Sequence, residues 1–278
     1  MGVHRAGRGD GLFLHLGSDF PTMDLKDRQM DQQEQGNLRL VPENSLTQAA
    51  SKIEKQFVSF IFFRIDPSWR KLDEEKKSIL RREFQGVHDS YSEDFLLYSY
   101  SLVGFDSKAD LMLWRIGDSL DPIQEMTAKL FRTGLGSYLE TAENFLAVTK
   151  KMAFIRDDGL GDPKDRSHVI AGAGKYHFVY PCAKQAEWFD KSAEERDELI
   201  SENFMVGKKF PNIRIHLTHA FGFSEQEYVI SFETDEPRDF LTLAEELRQT
   251  TASKLTYRGM PIFTCRRRSL SECLEALG

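Results

Sequence analysis

"FVSFIFFRIDPSWRKLDEEKKSIL" (residues 57–80) and "YHFVYPCAKQAEWFDKSAEERDEL" (residues 176–199) read as two copies of one unit. Each copy is an apolar run of strand length, a short break carrying a tryptophan, and then an acidic helix start. Trp69 and Trp188 stand 119 residues apart. The register persists downstream. "FLLYSYSLVGFDSKADLMLWRIGDSLDPIQEMTAKL" (residues 95–130) is matched by "IRIHLTHAFGFSEQEYVISFETDEPRDFLTLAEEL" (residues 213–247), and the glycines of their Gly-Phe pairs, Gly104 and Gly222, are 118 apart. Each copy predicts a strand, a helix, two strands joined at Gly-Phe, and a second helix opened by Asp-Pro or Glu-Pro. That is a βαββα unit.

Two such units predict an α+β fold of two open antiparallel sheets, each covered by helices on one face and packed on the other through their remaining faces. The predicted organisation is an N-terminal arm over residues 1–51, a first unit over 52–165 and a second over 172–278. Alternation separates the faces of the second unit. Tyr176, Phe178, Tyr180 and Cys182 share one side of a strand, with His177 and Val179 on the other, and Ile213, Ile215, Leu217 and His219 share a side of the next.

Composition bounds the function. The 278 residues hold 40% hydrophobic and 29% charged side chains, with no apolar run near the ~20 residues that a membrane span requires. The net charge of −7 argues against general nucleic-acid binding, and the run Arg266–Arg268 does not reverse it. Cys182, Cys265 and Cys273 lack metal-ligand spacing and read as reduced thiols of a cytoplasmic protein. The arm carries no secretory apolar segment, and Ala6 stands where a myristoylation signal has Ser or Thr. Met23 and Met30 are alternative starts.

Four stretches carry a resemblance. "FVYPCAKQAEWFDKSAEERDELISEN", "YSYSLVGFDSKADLMLW", "RTGLGSYL" and "RGMPIFTCRRRSLSECLEAL" resemble the chlorite dismutase family, which includes the coproheme decarboxylases, over about residues 55–277. The resemblance implies tandem ferredoxin-like units of the dimeric α+β barrel type, a ring homo-oligomer that is commonly a pentamer, and a haem or coproheme pocket in the second unit. It places Tyr180 and Lys184, in a Tyr-Pro-x-x-Lys segment, as catalytic: a phenol able to lose an electron and a proton, beside an ammonium able to neutralise a carboxylate. It places Arg132 and Tyr138 of "RTGLGSYL", at a loop and helix start, near the cofactor edge. Trp188 reads either as an aromatic wall of the pocket or as the anchor of a helix start, and its partner Trp69 favours the anchor.

Two positions depart from the family pattern. Asn203 falls where the axial histidine is expected, and an amide oxygen is a poor iron ligand. Ile215 falls where the family has Arg or Gln, and it cannot donate a hydrogen bond. Among the histidines, His219 is the best-placed substitute ligand because it shares a strand face with Ile215. The pair His216-x-x-His219 points to opposite faces of a strand and makes a weak metal site. Three functions follow: a porphyrin-binding protein with peroxidase-like or decarboxylase-like chemistry, a binding module that uses the pocket for another ligand and no cofactor, or a structural paralogue. The first is the expectation taken forward.

Overall fold

The computed structural model describes residues 55–149, 169, 171–172, 174–257 and 261–278. They belong to one compact unit, and the arm predicted over 1–51 lies outside the described residues. Eight antiparallel strands form a closed barrel: β1 (Phe57–Ile65), β2 (Leu96–Ser101), β3 (Leu111–Gly117), β4 (Leu139–Val148), β5 (Tyr176–Cys182), β6 (Arg214–His219), β7 (Tyr228–Thr234) and β8 (Phe263–Arg268). The order around it is β4-β1-β3-β2 for the first half and β8-β5-β7-β6 for the second, the same order twice. Three residue pairs join β2 to β8, from Ser99↔Arg268 to Ser101↔Arg266, and Val148↔His219 joins β4 to β6.

This agrees with the α+β barrel that the resemblance implies and corrects the reading from periodicity alone in two ways. Each repeat has a further strand, β4 or β8, so the unit is βαββαβ. The two half-sheets also join edge to edge, which leaves no open edge to cover. β8, "FTCRRR", was hidden because its three arginines mask the alternation of a strand.

Local chemistry sets the helices. α1 (Glu74–Asp89) starts at Asp73, whose carboxylate accepts from the Lys76 amide at 2.8 Å. α2 (Asp121–Arg132) and α4 (Pro237–Leu247) open with the proline of Asp-Pro and Glu-Pro, whose fixed φ suits the first turn. α3 (Ala193–Gly207) opens with a capping box between Ser192 and Glu195, and α5 (Leu270–Ala276) with one between Ser269 and Glu272. Gly222, at the tip between β6 and β7, has φ +88, a left-handed conformation that glycine takes without a Cβ clash.

Strand alternation builds three apolar regions. The barrel lumen holds Val58, Phe60, Phe62, Tyr100, Met112, Trp114, Val179 and Phe263. The outer face of the first half packs Ile61, Phe63, Leu113 and Trp69 under α1, α2 and α5. The outer face of the second half packs Phe178, Phe232, Phe240 and Leu243, with Tyr180, Ile215 and Ile230 only partly buried. A polar cluster sits in the lumen. Glu233 Oε2 lies 3.0 Å from His216 Nε2, and Oε1 accepts from the Gly172 amide at 3.0 Å. Burial would raise the Glu233 carboxyl, but His216 and His177 hold it down at about 2.

Candidate functional site

The second half contains the candidate site. A cavity of about 340 Å³ opens between β5, β7 and α4, lined by Tyr180, Ile230, Phe232, Phe240, Leu247 and Arg248 among others. That volume lies within the ~300–1,000 Å³ of small-ligand pockets. A second cavity of about 50 Å³ lies between α3 and β6, bounded by Asn203, Ile215, Leu217 and Tyr228. Asn203, Lys184, Ile230, Phe232 and Leu247 belong to both, so the two are lobes of one space.

The polar groups lie at definite points of these walls. Burial pushes the Tyr180 phenol up, and the Arg248 guanidinium within hydrogen-bonding reach offsets only part of that, so the phenol stays protonated at neutral pH. Lys184 Nζ donates to the Ala252 carbonyl at 3.1 Å and to Thr256 Oγ1 at 2.8 Å, and it stands 4.4 Å from the centroid of the Trp188 ring. Burial lowers the Lys184 ammonium. Cys182 also lines the larger lobe, and burial pushes its thiol up to about 11, which keeps it protonated. Asn203 Oδ1 is buried and has no hydrogen-bond partner. Gly207 lets α3 approach β6, since a Cβ there would stand 2.6 Å from Ile215 Cδ1. The Ile215 side chain thereby occupies the gap between strand and helix.

The comparisons with known proteins converge. A family profile described as chlorite dismutase matches residues 52–268. The chain belongs to the chlorite dismutase family. It is 27% identical over 184 residues to the coproheme decarboxylase of Mycolicibacterium smegmatis, covering 64% of this chain and 75% of that protein. It is 23% identical over 228 residues to the coproheme decarboxylase of Staphylococcus carnosus, covering 74% and 90%. A mutant chlorite dismutase from Candidatus Nitrospira defluvii superposes with a TM-score of 0.73 at 26% identity, over 83% of this chain and 98% of that one.

Within this chlorite dismutase family fold, the predicted site residues divide. Tyr180, Lys184, Asn203 and Ile215 come together around the two lobes. Trp188 is fully buried in the one-turn helix Ala186–Phe189 beneath Lys184, as Trp69 is buried in the first half, and it lines neither lobe. Arg132 is exposed at the end of α2, and Tyr138 packs on Trp69 with ring centroids 5.6 Å apart, both in the first half of the barrel. "RTGLGSYL" leads through a single helical turn into β4, where a helix start was predicted. His219 shares the outer face with Ile215 and Leu217, stacks edge-on with Tyr228 at 5.2 Å, and does not line either lobe. His216 turns into the lumen. Among the described residues no cluster of three or more His, Cys, Asp or Glu is arranged to hold a metal, and no helix is long and apolar enough to cross a membrane.

Sequence reasoning missed Arg248, Phe240 and Tyr257. The signal for two of them was present. Phe240, Ala244, Leu247 and Arg248 follow the i, i+4, i+7, i+8 spacing of one helix face, which turns a basic residue toward an apolar wall.

Proposed function

We propose that the chain binds a tetrapyrrole of the haem and coproheme class in the space between the second half-sheet, α3 and α4. The cavity carries this reading: aromatic and aliphatic walls suited to the faces of a large ring system, and a polar edge at Tyr180 and Arg248 suited to its carboxylates. Membership of a family whose relatives here are named coproheme decarboxylases supports the ligand class.

The residues present do not fit an iron-ligated haem. Asn203 offers an amide where the resemblance expects an imidazole, Ile215 fills the gap opposite it, and Cys182 is held as a thiol. We therefore assign binding, with no iron-centred step. Tyr180 and Arg248 face a ligand carboxylate, the phenol as donor and the guanidinium as counter-charge. Lys184 positions the turn Thr251–Lys254 and Thr256, to which its ammonium is already committed. The same reading includes a homo-oligomer, pentameric by resemblance, and a cytoplasmic location; light scattering on the purified chain measures the first.

The test is an absorption and fluorescence titration with iron and metal-free coproporphyrin III, on the native chain and on Ala244→Trp, which fills the larger lobe from α4. Saturable binding of either form that Ala244→Trp weakens by roughly tenfold or more supports the site, since an indole in the larger lobe takes the space of the ligand and tenfold is about 1.4 kcal/mol. No binding of any tetrapyrrole, or binding indifferent to Ala244→Trp in a folded chain, overturns it.

A further inference from the structure

Asn203 is the least explained polar group of the second half. It stands on α3, its neighbours across the space are Ile215, Ile230, Phe232 and Leu247, and its Oδ1 is buried without a hydrogen-bond partner. A buried acceptor left unpaired costs free energy, so such a group is retained where a donor meets it in some functional state. No donor among the described residues meets Asn203 Oδ1, and Lys184, the one ammonium bordering both lobes, is held by Ala252 and Thr256. A ligand that brings its own donor completes the site.

We infer that the site takes a metal-free tetrapyrrole, and that Asn203 Oδ1 accepts hydrogen bonds from its pyrrole N–H groups. This rests on the tetrapyrrole reading above and gives it a substrate class. An iron porphyrin has no pyrrole N–H to donate, because its nitrogens are bound to the metal, and it would leave Oδ1 both unpaired and a weak ligand. A metal-free tetrapyrrole carries N–H donors at its centre and supplies what the wall lacks. Shape agrees with the chemistry. The space is two unequal lobes, about 340 Å³ and about 50 Å³, that meet at Asn203, and Ile215 lies against Gly207 in the smaller one. A non-planar tetrapyrrole fills the larger lobe and turns its N–H groups out of the mean plane toward Asn203. Two sources share this chemistry, an open-chain tetrapyrrole and a reduced, puckered macrocycle.

Dissociation constants of the full chain are measured for biliverdin as the open-chain probe, for metal-free coproporphyrin III and coproporphyrinogen III under anaerobic conditions as closed-ring probes, and for iron coproporphyrin III. The native chain is expected to bind at least one metal-free probe roughly tenfold or more tighter than the iron form, the worth of a buried hydrogen bond regained. Preference for biliverdin identifies the open chain, and preference for the porphyrinogen the reduced ring. Asn203→Leu keeps the branched shape, removes the acceptor and is expected to erase the preference; Asn203→Asp keeps an acceptor and is expected to retain it. Asn203→His is expected to shift the preference to the iron form and to add a ligated Soret band. Circular dichroism confirms that each variant is folded. Iron coproporphyrin bound as tightly as every metal-free probe by the native chain, or a preference that survives in Asn203→Leu, overturns the inference and leaves the tetrapyrrole site standing. Failure of all four probes to bind overturns both.

Discussion

Replacing His177 with leucine is expected to flatten the acid side of the stability profile. His177 lies on β5 and is fully buried in the barrel lumen, its ring centroid 4.4 Å from that of Trp114 and 5.0 Å from that of Tyr100. Neither ring nitrogen has a hydrogen-bond partner. Burial drives the imidazole down from 6.5 to about 3; the Glu233 carboxylate opposes the shift and His216 adds to it. The sign follows from where protons bind. Above pH 6.5 both folded and unfolded chains keep this ring neutral, so it costs nothing. Below that value the unfolded chain takes up a proton that the folded chain refuses, and stability falls until the folded value is reached. Between pH 7 and pH 5 the loss amounts to about 2 kcal/mol, because pH 5 lies ~1.5 units below the unfolded value and well above the folded one. Leucine has a similar volume and no proton to bind. At pH 7 it also removes an unpaired buried polar group, so the variant is expected to match the native chain or exceed it there. Urea unfolding of both chains at the two pH values isolates the difference, since the carboxylates away from His177 are common to both and Glu233, held down at about 2 in the native chain, titrates well below pH 5. Losses that agree within ~0.5 kcal/mol, the usual limit of additivity, would refute the reasoning.

Two further substitutions test how the site is held. Trp188→Ala removes a fully buried indole and the face under the Lys184 ammonium, and is expected to cost about 3–5 kcal/mol in denaturant unfolding; a loss below 1 kcal/mol would show that the ring is not an anchor. Lys184→Met keeps the stem but drops the bonds to Ala252 and Thr256, and is expected to cost about 1–3 kcal/mol while leaving ligand stoichiometry unchanged; unchanged stability would show that these bonds do not hold the turn.

The repeat made most of the barrel legible, because period-2 and period-3.6 patterns recur at one offset and each vouches for the other. The outcome is plainest in Gly104 and Gly222, both at positive φ, and in the Asp-Pro and Glu-Pro openings of α2 and α4. Closure of the barrel was implied by the family resemblance and not by periodicity. It depends on pairing between β2 and β8, and between β4 and β6, and such non-local partners leave no periodic trace in either segment. At the site, Asn203 and Ile215 were found by counting along a family pattern, and the structure brings both to the smaller lobe. The lumen cluster of His177, His216 and Glu233 went unnoticed because alternation assigns a face but does not report that two faces from different strands converge. Arg132 and Tyr138 lie in the first half of the barrel, within the predicted first unit, and neither lines the two lobes.

The cavity itself follows from an asymmetry between halves that share one topology. Ile61 and Phe63 stand 119 residues before Tyr180 and Cys182, on the same outward face of the first strand of each half. In the first half α5 lies across this face, and Leu270, Cys273, Leu274 and Leu277 pack with Ile61, Phe63 and Leu113 into one buried cluster. Among the described residues no second helix of this kind covers the other half. Its outer face is left to α3, α4 and the short turn Thr251–Lys254, and Tyr180, Ile215 and Ile230 stay partly exposed. Apolar surface left uncovered in this way costs roughly 25 cal/mol per Å² and is commonly held for a ligand to cover. Among the described residues the C-terminal helix thus accounts for the dry first half, and under the proposed tetrapyrrole reading a ligand of ring-system size would supply to the second half the burial that α5 supplies to the first.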